Sequence, residues 1–192
     1  MNDVLFLLVG KSASGKSTIA NILEKQYEYK QLQSYTTRKP RYKKEPGHIF
    51  LSKSEFEKLE NIVAYTEYSG SKYCATADQI DKCNVYVVDV PGVETLLQKY
   101  QSDRPIVIIY FSANIRTRID RMIDRHDSDM EIVSRIYNDE KFDWEDRLNK
   151  AVWNYKYNEG KNIVMYTVYA NQDIDSVFSQ VKNIIDTNLE ED

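Results

Sequence analysis

Residues 4 to 23, Val-Leu-Phe-Leu-Leu-Val-Gly-Lys-Ser-Ala-Ser-Gly-Lys-Ser-Thr-Ile-Ala-Asn-Ile-Leu, constrain the chain more than any other stretch. Val4 to Val9 is an apolar run without alternation and too short for a buried helix, which predicts a strand covered on both faces. Gly10, Gly15, Lys16 and Ser17 then fit G-x-x-x-x-G-K-[ST], and Ile19, Ala20, Ile22 and Leu23 recur at helical spacing. Strand, loop and helix follow one another in the order a P-loop requires.

The chemistry needs these residues in these places. Glycines at 10 and 15 let the backbone fold back without a side-chain clash, so successive N–H groups can turn inward on phosphate oxygens. The predicted nucleotide cradle is Gly10, Lys11, Ser12, Ala13, Ser14, Gly15, Lys16, Ser17 and Thr18, with the positive end of the following helix behind it. Lys16 is expected to reach the β- and γ-phosphates of a nucleoside triphosphate as a point charge, and the Ser17 hydroxyl to ligate Mg²⁺. A Gly/Ser-rich turn that binds nothing is the alternative, and the flanking strand and helix patterns argue against it.

Length and charge narrow the class. A chain of 192 residues suits one domain with inserted lobes, and 42% hydrophobic with 29% charged residues is ordinary for a globular protein. A net charge of -4 argues against a general nucleic-acid partner. Cys74 and Cys83 have neither redox-motif nor zinc-ligand spacing and read as buried small hydrophobes in a reducing compartment. No basic n-region precedes the opening apolar run and no apolar stretch approaches a membrane span, so the reading is cytoplasmic, with no membrane partner. The acidic tail Glu190-Glu191-Asp192 reads as a frayed, solvated end.

Further apolar runs at Val85 to Val90, Ile106 to Phe111 and Ile163 to Tyr169 make four buried strands interleaved with helices. That is the pattern of an α/β protein with a parallel sheet and right-handed crossovers. Helices are predicted at Gly15 to Tyr27, Pro91 to Tyr100, Ile115 to Arg125, Glu131 to Phe142, Trp144 to Tyr157 and Ile174 to Leu189. Between about 34 and 80 the punctuation is denser. Ile49 to Leu51 and Ile62 to Tyr68 are strand-like, Ser52-x-x-Glu55 opens a helix to about Glu60, and Thr76-x-x-Gln79 opens another.

That section carries a second anion motif, Ser34-Tyr35-Thr36-Thr37-Arg38-Lys39-Pro40-Arg41. Two arginines three residues apart, with a hydroxyl four before the first, offer planar bidentate donors to a second phosphate. A nuclear-localisation or nucleic-acid patch is the competing reading, disfavoured by the overall acidity.

Here the chain resembles the guanylate kinase family, whose S-x-T-T-R-x-P-R segment matches at Ser34, Thr36, Thr37, Arg38, Pro40 and Arg41. The resemblance implies a P-loop three-layer sandwich with an inserted acceptor lobe and a helical lid. Core segments would be 1–33, 81–115 and 139–192, the acceptor lobe 34–80 and the lid 116–138. It implies that Ser34, Arg38 and Arg41 hold the acceptor phosphate, joined by Tyr73, and that His48 stands where the family has a phosphate-binding tyrosine. Family members read guanine with a glutamate nine residues before the tyrosine that stands here as Tyr73 and a hydroxyl two after it; here these are Ala64 and Ala75. Of an Asp-x-Asp pair at the next core strand only Asp89 survives, with Val87 in the first place. Glu67 offers another route to the base.

Arg118, Arg121 and Arg125 fall on one helical face, followed by Arg135. The resemblance makes them a lid over the triphosphate, with Arg125 and Arg135 acting on the migrating phosphoryl group and Arg121 and Asn171 on the ATP side. The simpler alternative is a solvated face paired with Asp120 and Asp124. The implied activity is transfer of the ATP γ-phosphate, as the Mg²⁺ complex, to a nucleoside monophosphate, with GMP or dGMP the first acceptor considered, by a monomer or homodimer. The same chemistry on another nucleotide or a phosphorylated sugar stays open, as does a non-catalytic interaction module. A simple P-loop hydrolase is disfavoured by the second phosphate motif.

Overall fold

The computed structural model describes residues 4–189, except the side chains of 158 and 159; the terminal acidic tail lies outside the described residues. The chain begins β1 (Leu5–Gly10), α1 (Lys16–Tyr27), β2 (Ser34–Thr36), β3 (His48–Phe50), α2 (Lys53–Phe56), β4 (Ile62–Tyr68), β5 (Ser71–Thr76) and α3 (Ala77–Asp81). It continues β6 (Val85–Val87), α4 (Val90–Lys99), β7 (Ile106–Ser112), α5 (Ile115–Asp124), α6 (Asp129–Asp139), α7 (Trp144–Glu159), β8 (Ile163–Tyr169) and α8 (Ile174–Thr187).

The four apolar runs form one parallel sheet in the order β6-β1-β7-β8, and Gln31 adds an isolated parallel bridge to Val85. Pleating divides β1 between two cores. Leu5, Leu7 and Val9 pack with Val90, Val93 and Leu96 of α4 and with Leu148 and Tyr155 of α7. Phe6 and Leu8 pack with Ile19, Ala20 and Leu23 of α1 and with Val177, Val181 and Ile185 of α8. Helices therefore cover both faces, which is why these strands are apolar throughout rather than alternating. At about 1.5–3 kcal/mol for each large apolar side chain fully buried, this double core makes a firm platform. Its carboxyl edge, where the strands end at Gly10, Val87, Ser112 and Tyr169, is where ligands collect in open α/β sheets.

A second sheet, in the order β3-β2-β5-β4, is mixed: β2 and β3 are parallel, while β5 runs antiparallel to both β2 and β4. Ser69 and Gly70 both have positive φ, 49° and 74°, the two-residue turn whose twist matches a β-hairpin. Strand β5 was not expected from the sequence: Lys72, Cys74 and Ala75 give it no β-rich pattern, and pairing with β4 and β2 supplies the order instead.

Three predicted boundaries shift for local reasons. The strand expected over Val85 to Val90 stops at Val87 because the Asp89 carboxylate accepts the Gly92 N–H at 2.9 Å and starts α4 at Val90, with Pro91 in the first turn. The helix expected over Glu131 to Phe142 is Asp129–Asp139, opened by a capping box of Ser128 and Glu131. The capping box at Ser52 and Glu55 also forms, but its helix ends at Phe56, short of Glu60. Cys74 and Cys83 are buried and unbridged, as their spacing suggested.

Candidate active site

The P-loop leaves β1 at Gly10, where a Cβ would lie 2.7 Å from the Phe111 carbonyl oxygen; the neighbouring strand leaves room only for glycine. Gly15, at φ 102°, is the N-cap of α1 and makes no side-chain cap, so the first N–H groups of the helix remain open to an anion. Lys16 lies back across the loop, its Nζ donating to the Lys11 carbonyl at 2.8 Å and the Ser14 hydroxyl at 3.3 Å. Burial lowers its pKa to about 8, against the opposing pull of Asp139 and Asp89. Affinity for ATP should therefore fall as pH rises through about 8, approaching tenfold per pH unit as the unliganded ammonium loses its proton. ATP titrations between about pH 6.5 and 9.5 check this; a flat profile contradicts it.

Two clefts meet at this loop. The outer one, about 610 Å³, is lined by Ala13 to Thr18, Arg121, Asp124, Arg125 and Gln172 to Ile174, a size suited to a nucleotide. Arg121 spans it, donating to the carbonyls of Ala13 at 3.4 Å and Gln172 at 3.3 Å. The Ser17 and Thr18 side chains are exposed at its edge. Among the described residues no group of three or more His, Cys, Asp or Glu is arranged to hold a metal ion. A magnesium ion carried by phosphate oxygens and touched by the Ser17 hydroxyl fits such a donor set. Asn171 is not in the cleft: its Oδ1 accepts the Asn114 N–H at 2.8 Å and ties the end of β8 to the start of α5.

The inner cleft, about 190 Å³, runs from Gly10, Lys11, Ser12 and Lys16 to Ser34, His48 and Tyr73, with Arg135, Asp139 and Trp144 along it. Ser34 and His48 meet at 2.9 Å, Oγ to Nδ1, and the His48 ring lies 5.7 Å from that of Tyr73. Burial, then the nearby Arg38, lowers the His48 pKa to about 4, so the imidazole is neutral at pH 7. The neutral ring keeps one donor and one acceptor nitrogen, and its tautomer sets whether the Ser34 hydroxyl or His48 Nδ1 donates. Asp89 lines the same cleft, its pKa raised by burial against hydrogen bonds from Gly92 N–H and the Thr66 hydroxyl. Arg38 and Arg41, on the loop after β2, are not among the residues lining this cleft, and both are bound to Glu45.

Ala64 and Ala75 are opposed across β4 and β5, and both are fully buried among core side chains that include Val90 and Val93 of α4. The cleft is lined instead by Tyr65, Thr66, Tyr86 and Val87 in this part of the fold. Glu67 does not join them. It is exposed and absent from the cleft lining, and its carboxylate accepts from the Tyr65 hydroxyl at 2.5 Å.

On the arginine face of α5, Arg118 is buried, Arg121 half-buried and Arg125 exposed, and the carboxylate partners of Arg118 and Arg125 are neither Asp120 nor Asp124. Arg118 is 1% exposed; Nη1 donates to Asp139 at 2.9 Å and Nη2 to Glu140. Asp139 also accepts the Ser12 N–H at 2.8 Å, and Glu140 accepts from Lys11 Nζ at 2.9 Å. The end of α6 is thus fastened to the P-loop. Arg125 pairs with Asp127, whose pKa is lowered chiefly by that contact, and Arg135 Nε lies 3.5 Å from the same carboxylate, too far to be a hydrogen bond. Sequence reading passed over Asp139 and Glu140, yet there was a signal. Ile132, Ile136 and Asp139 lie at i, i+4 and i+7, so a carboxylate occupies the apolar phase of a helix, as Arg118 does with Met122 on α5.

A parallel sheet covered on both faces, a P-loop at its edge and a second sheet facing that loop across a cleft define a P-loop α/β fold of the kinase kind. The guanylate kinase from Anaplasma phagocytophilum has this fold: the match covers 97% of this chain and 86% of that one, with a TM-score of 0.52 at 18% identity. No protein-family profile and no curated protein sequence matches the chain.

Proposed function

We propose that this chain is an ATP-dependent nucleoside monophosphate kinase, with its core at 1–33, 81–115 and 139–192, an acceptor lobe at 34–80 and a lid at 116–138. One observation carries the reading: a single cleft is bounded by Lys16 and Ser12 of the P-loop at one end and by Ser34, His48 and Tyr73 at the other. A hydrolase needs only the first of these. A non-catalytic module has no use for an open helix N-terminus beside a lysine.

In this reading the backbone N–H groups from Lys11 to Thr18 and the Lys16 ammonium hold the triphosphate. Arg121 borders the ATP-side cleft, and Ser17 touches Mg²⁺. Ser34, Arg38, Arg41, His48 and Tyr73 hold the acceptor phosphate, and Arg125 and Arg135 face the group in transit. Magnesium, held with the help of the Ser17 hydroxyl, would offset the negative charge of the triphosphate. No covalent intermediate with the protein is required, because positioning and fixed positive charge account for the chemistry. Trp144 and the end of α6 close one wall against water.

GMP and dGMP are the first acceptors to test. A second reading, the same transfer to an acceptor other than a guanine nucleotide, is favoured by Ala64 and Ala75. Both are packed into the core, so neither supplies the buried polar partner that strong rejection of a wrong base needs. A panel of nucleoside monophosphates with Mg–ATP decides between them. The kinase reading expects diphosphate formation from at least one member, and ATP consumption with no dependence on any acceptor contradicts it. Fast turnover confined to GMP and dGMP removes the second reading.

A further inference from the structure

The basic segment after β2 contains one carboxylate that the proposed transfer does not use. Glu45 is 6% exposed at its side chain. Its Oε1 accepts from Arg38 Nη2 at 2.8 Å and from Arg41 Nη1 at 3.3 Å, and its Oε2 from Arg38 Nη1 at 3.1 Å and the Arg41 N–H at 2.7 Å. The residue before it, Lys44, has φ of 64°, the left-handed region that a lysine rarely adopts. The loop accepts this local strain and brings the carboxylate back between the two arginines.

We propose that Glu45 is a positioning residue of the second phosphate site, holding Arg38 and Arg41 side by side before and during the binding of a phosphate monoester. The proposal rests on the reading of Arg38 and Arg41 as the acceptor-phosphate clamp. Two guanidinium groups on one short loop repel one another, and here they are not alone. Arg41 has its pKa lowered by burial and then by the nearness of Arg135 and Arg38. A carboxylate shared by both offsets that repulsion and fixes the planes of the two forks, as bidentate arginine pairing does elsewhere. Phe50 holds the Arg38 plane from another side, with the guanidinium carbon 5.3 Å from the ring centroid.

Donors remain for a phosphate with Glu45 in place. Arg38 Nε is buried and has no hydrogen-bond partner. Arg41 commits one Nη1 hydrogen and its main-chain N–H, which leaves Nε and Nη2 without a partner among the described residues. An orphaned buried guanidinium N–H is costly, and an anion that satisfies it is held correspondingly well. Eviction of Glu45 by the incoming phosphate is the opposing account, and it predicts the opposite sign: removing the carboxylate would then tighten binding.

The test uses the full chain with Glu45→Ala and Glu45→Gln, in two measurements. With the P-loop filled by Mg²⁺ and a non-hydrolysable ATP analogue, inorganic phosphate is titrated by calorimetry. Glu45→Ala is expected to bind phosphate about tenfold or more weakly, and Glu45→Gln, which keeps one oxygen for Arg38, to recover part of the loss. In turnover with the best monophosphate of the panel, Glu45→Ala should raise acceptor KM by about tenfold or more while kcat and the KM for ATP move less than about threefold. A merely structural role would lower kcat and raise the KM for ATP along with the acceptor KM. Equal or tighter phosphate binding by Glu45→Ala overturns the proposal, as does a wild-type chain with no phosphate site beyond the P-loop. Phosphate binding that depends on Glu45 in a chain with no turnover on the panel would retain the proposal and remove the kinase reading instead.

Discussion

Lys16→Ala is expected to lower turnover by about three orders of magnitude or more while leaving the fold intact. Phosphoryl transfer asks little of the protein beyond placing the reactants and surrounding the moving group with positive charge, so the loss of one well-placed charge is felt almost entirely in the transition state. Stability should hold or rise. The folded-state pKa of Lys16, about 8, lies below its ordinary value of 10.5, because burial disfavours the charged form. A lysine depressed in this way destabilises the unliganded fold fully below about pH 8, and the penalty fades as pH rises from about 8 towards 10.5. Removing the ammonium at neutral pH therefore removes a penalty, along with the hydrogen bonds to Lys11 and Ser14. Kinetics and a thermal melt on the same sample check both halves. Near-wild-type turnover would mean that the P-loop is not the site of reaction.

The largest effect on stability is expected from Arg118→Leu, at about 3–5 kcal/mol of destabilisation. Arg118 is the anchor of the α6 terminus, and its loss leaves the Asp139 carboxylate, 5% exposed, with only the Ser12 contacts to offset its burial. For a chain of this length the corresponding fall in Tm is roughly 10 °C. Leucine fills much of the aliphatic volume, so the loss reports the broken ion pair more than a cavity. The double variant Arg118→Leu with Asp139→Asn should recover part of the loss, since it removes the stranded charge as well. A single-variant loss below about 1 kcal/mol would show that the pair does not secure α6 to the P-loop.

Much of the architecture is legible in the residues because it is written in short-range patterns. Unbroken apolar runs named the core strands, and β8 begins and ends where its run does, at Ile163 and Tyr169. Capping motifs at Ser52 and Thr76 marked helix starts, since the reciprocal hydrogen bonds are local, whereas the one at Ser128 was not read and that helix was expected two residues late. Helix ends were less legible: α2 stops at Phe56 although nothing in Glu57 to Glu60 forbids another turn. Strand β5 was invisible because its order comes from two neighbouring strands rather than from its own composition. In the site, motifs named the P-loop and the arginines of the loop after β2, but they named only the cationic half. Glu45, Asp127, Asp139 and Glu140, which hold those cations, come from turns and helix ends whose spacing carries no motif. Glu67 and Asn171 were assigned by position along the chain, and in the structure they are engaged elsewhere, Glu67 with the Tyr65 hydroxyl and Asn171 with the Asn114 N–H.

The central claim is that two phosphate sites share one cleft and bind the two ends of a single transfer. Its most direct test is the affinity of a bisubstrate analogue, adenosine joined through five phosphates to the acceptor nucleoside that the panel selects. If both sites face the same space, joining the halves makes the second binding step intramolecular, and the analogue should bind about a hundredfold or more tighter than either nucleotide alone. An analogue that binds no tighter than ATP, with the acceptor nucleoside contributing nothing, would contradict the account.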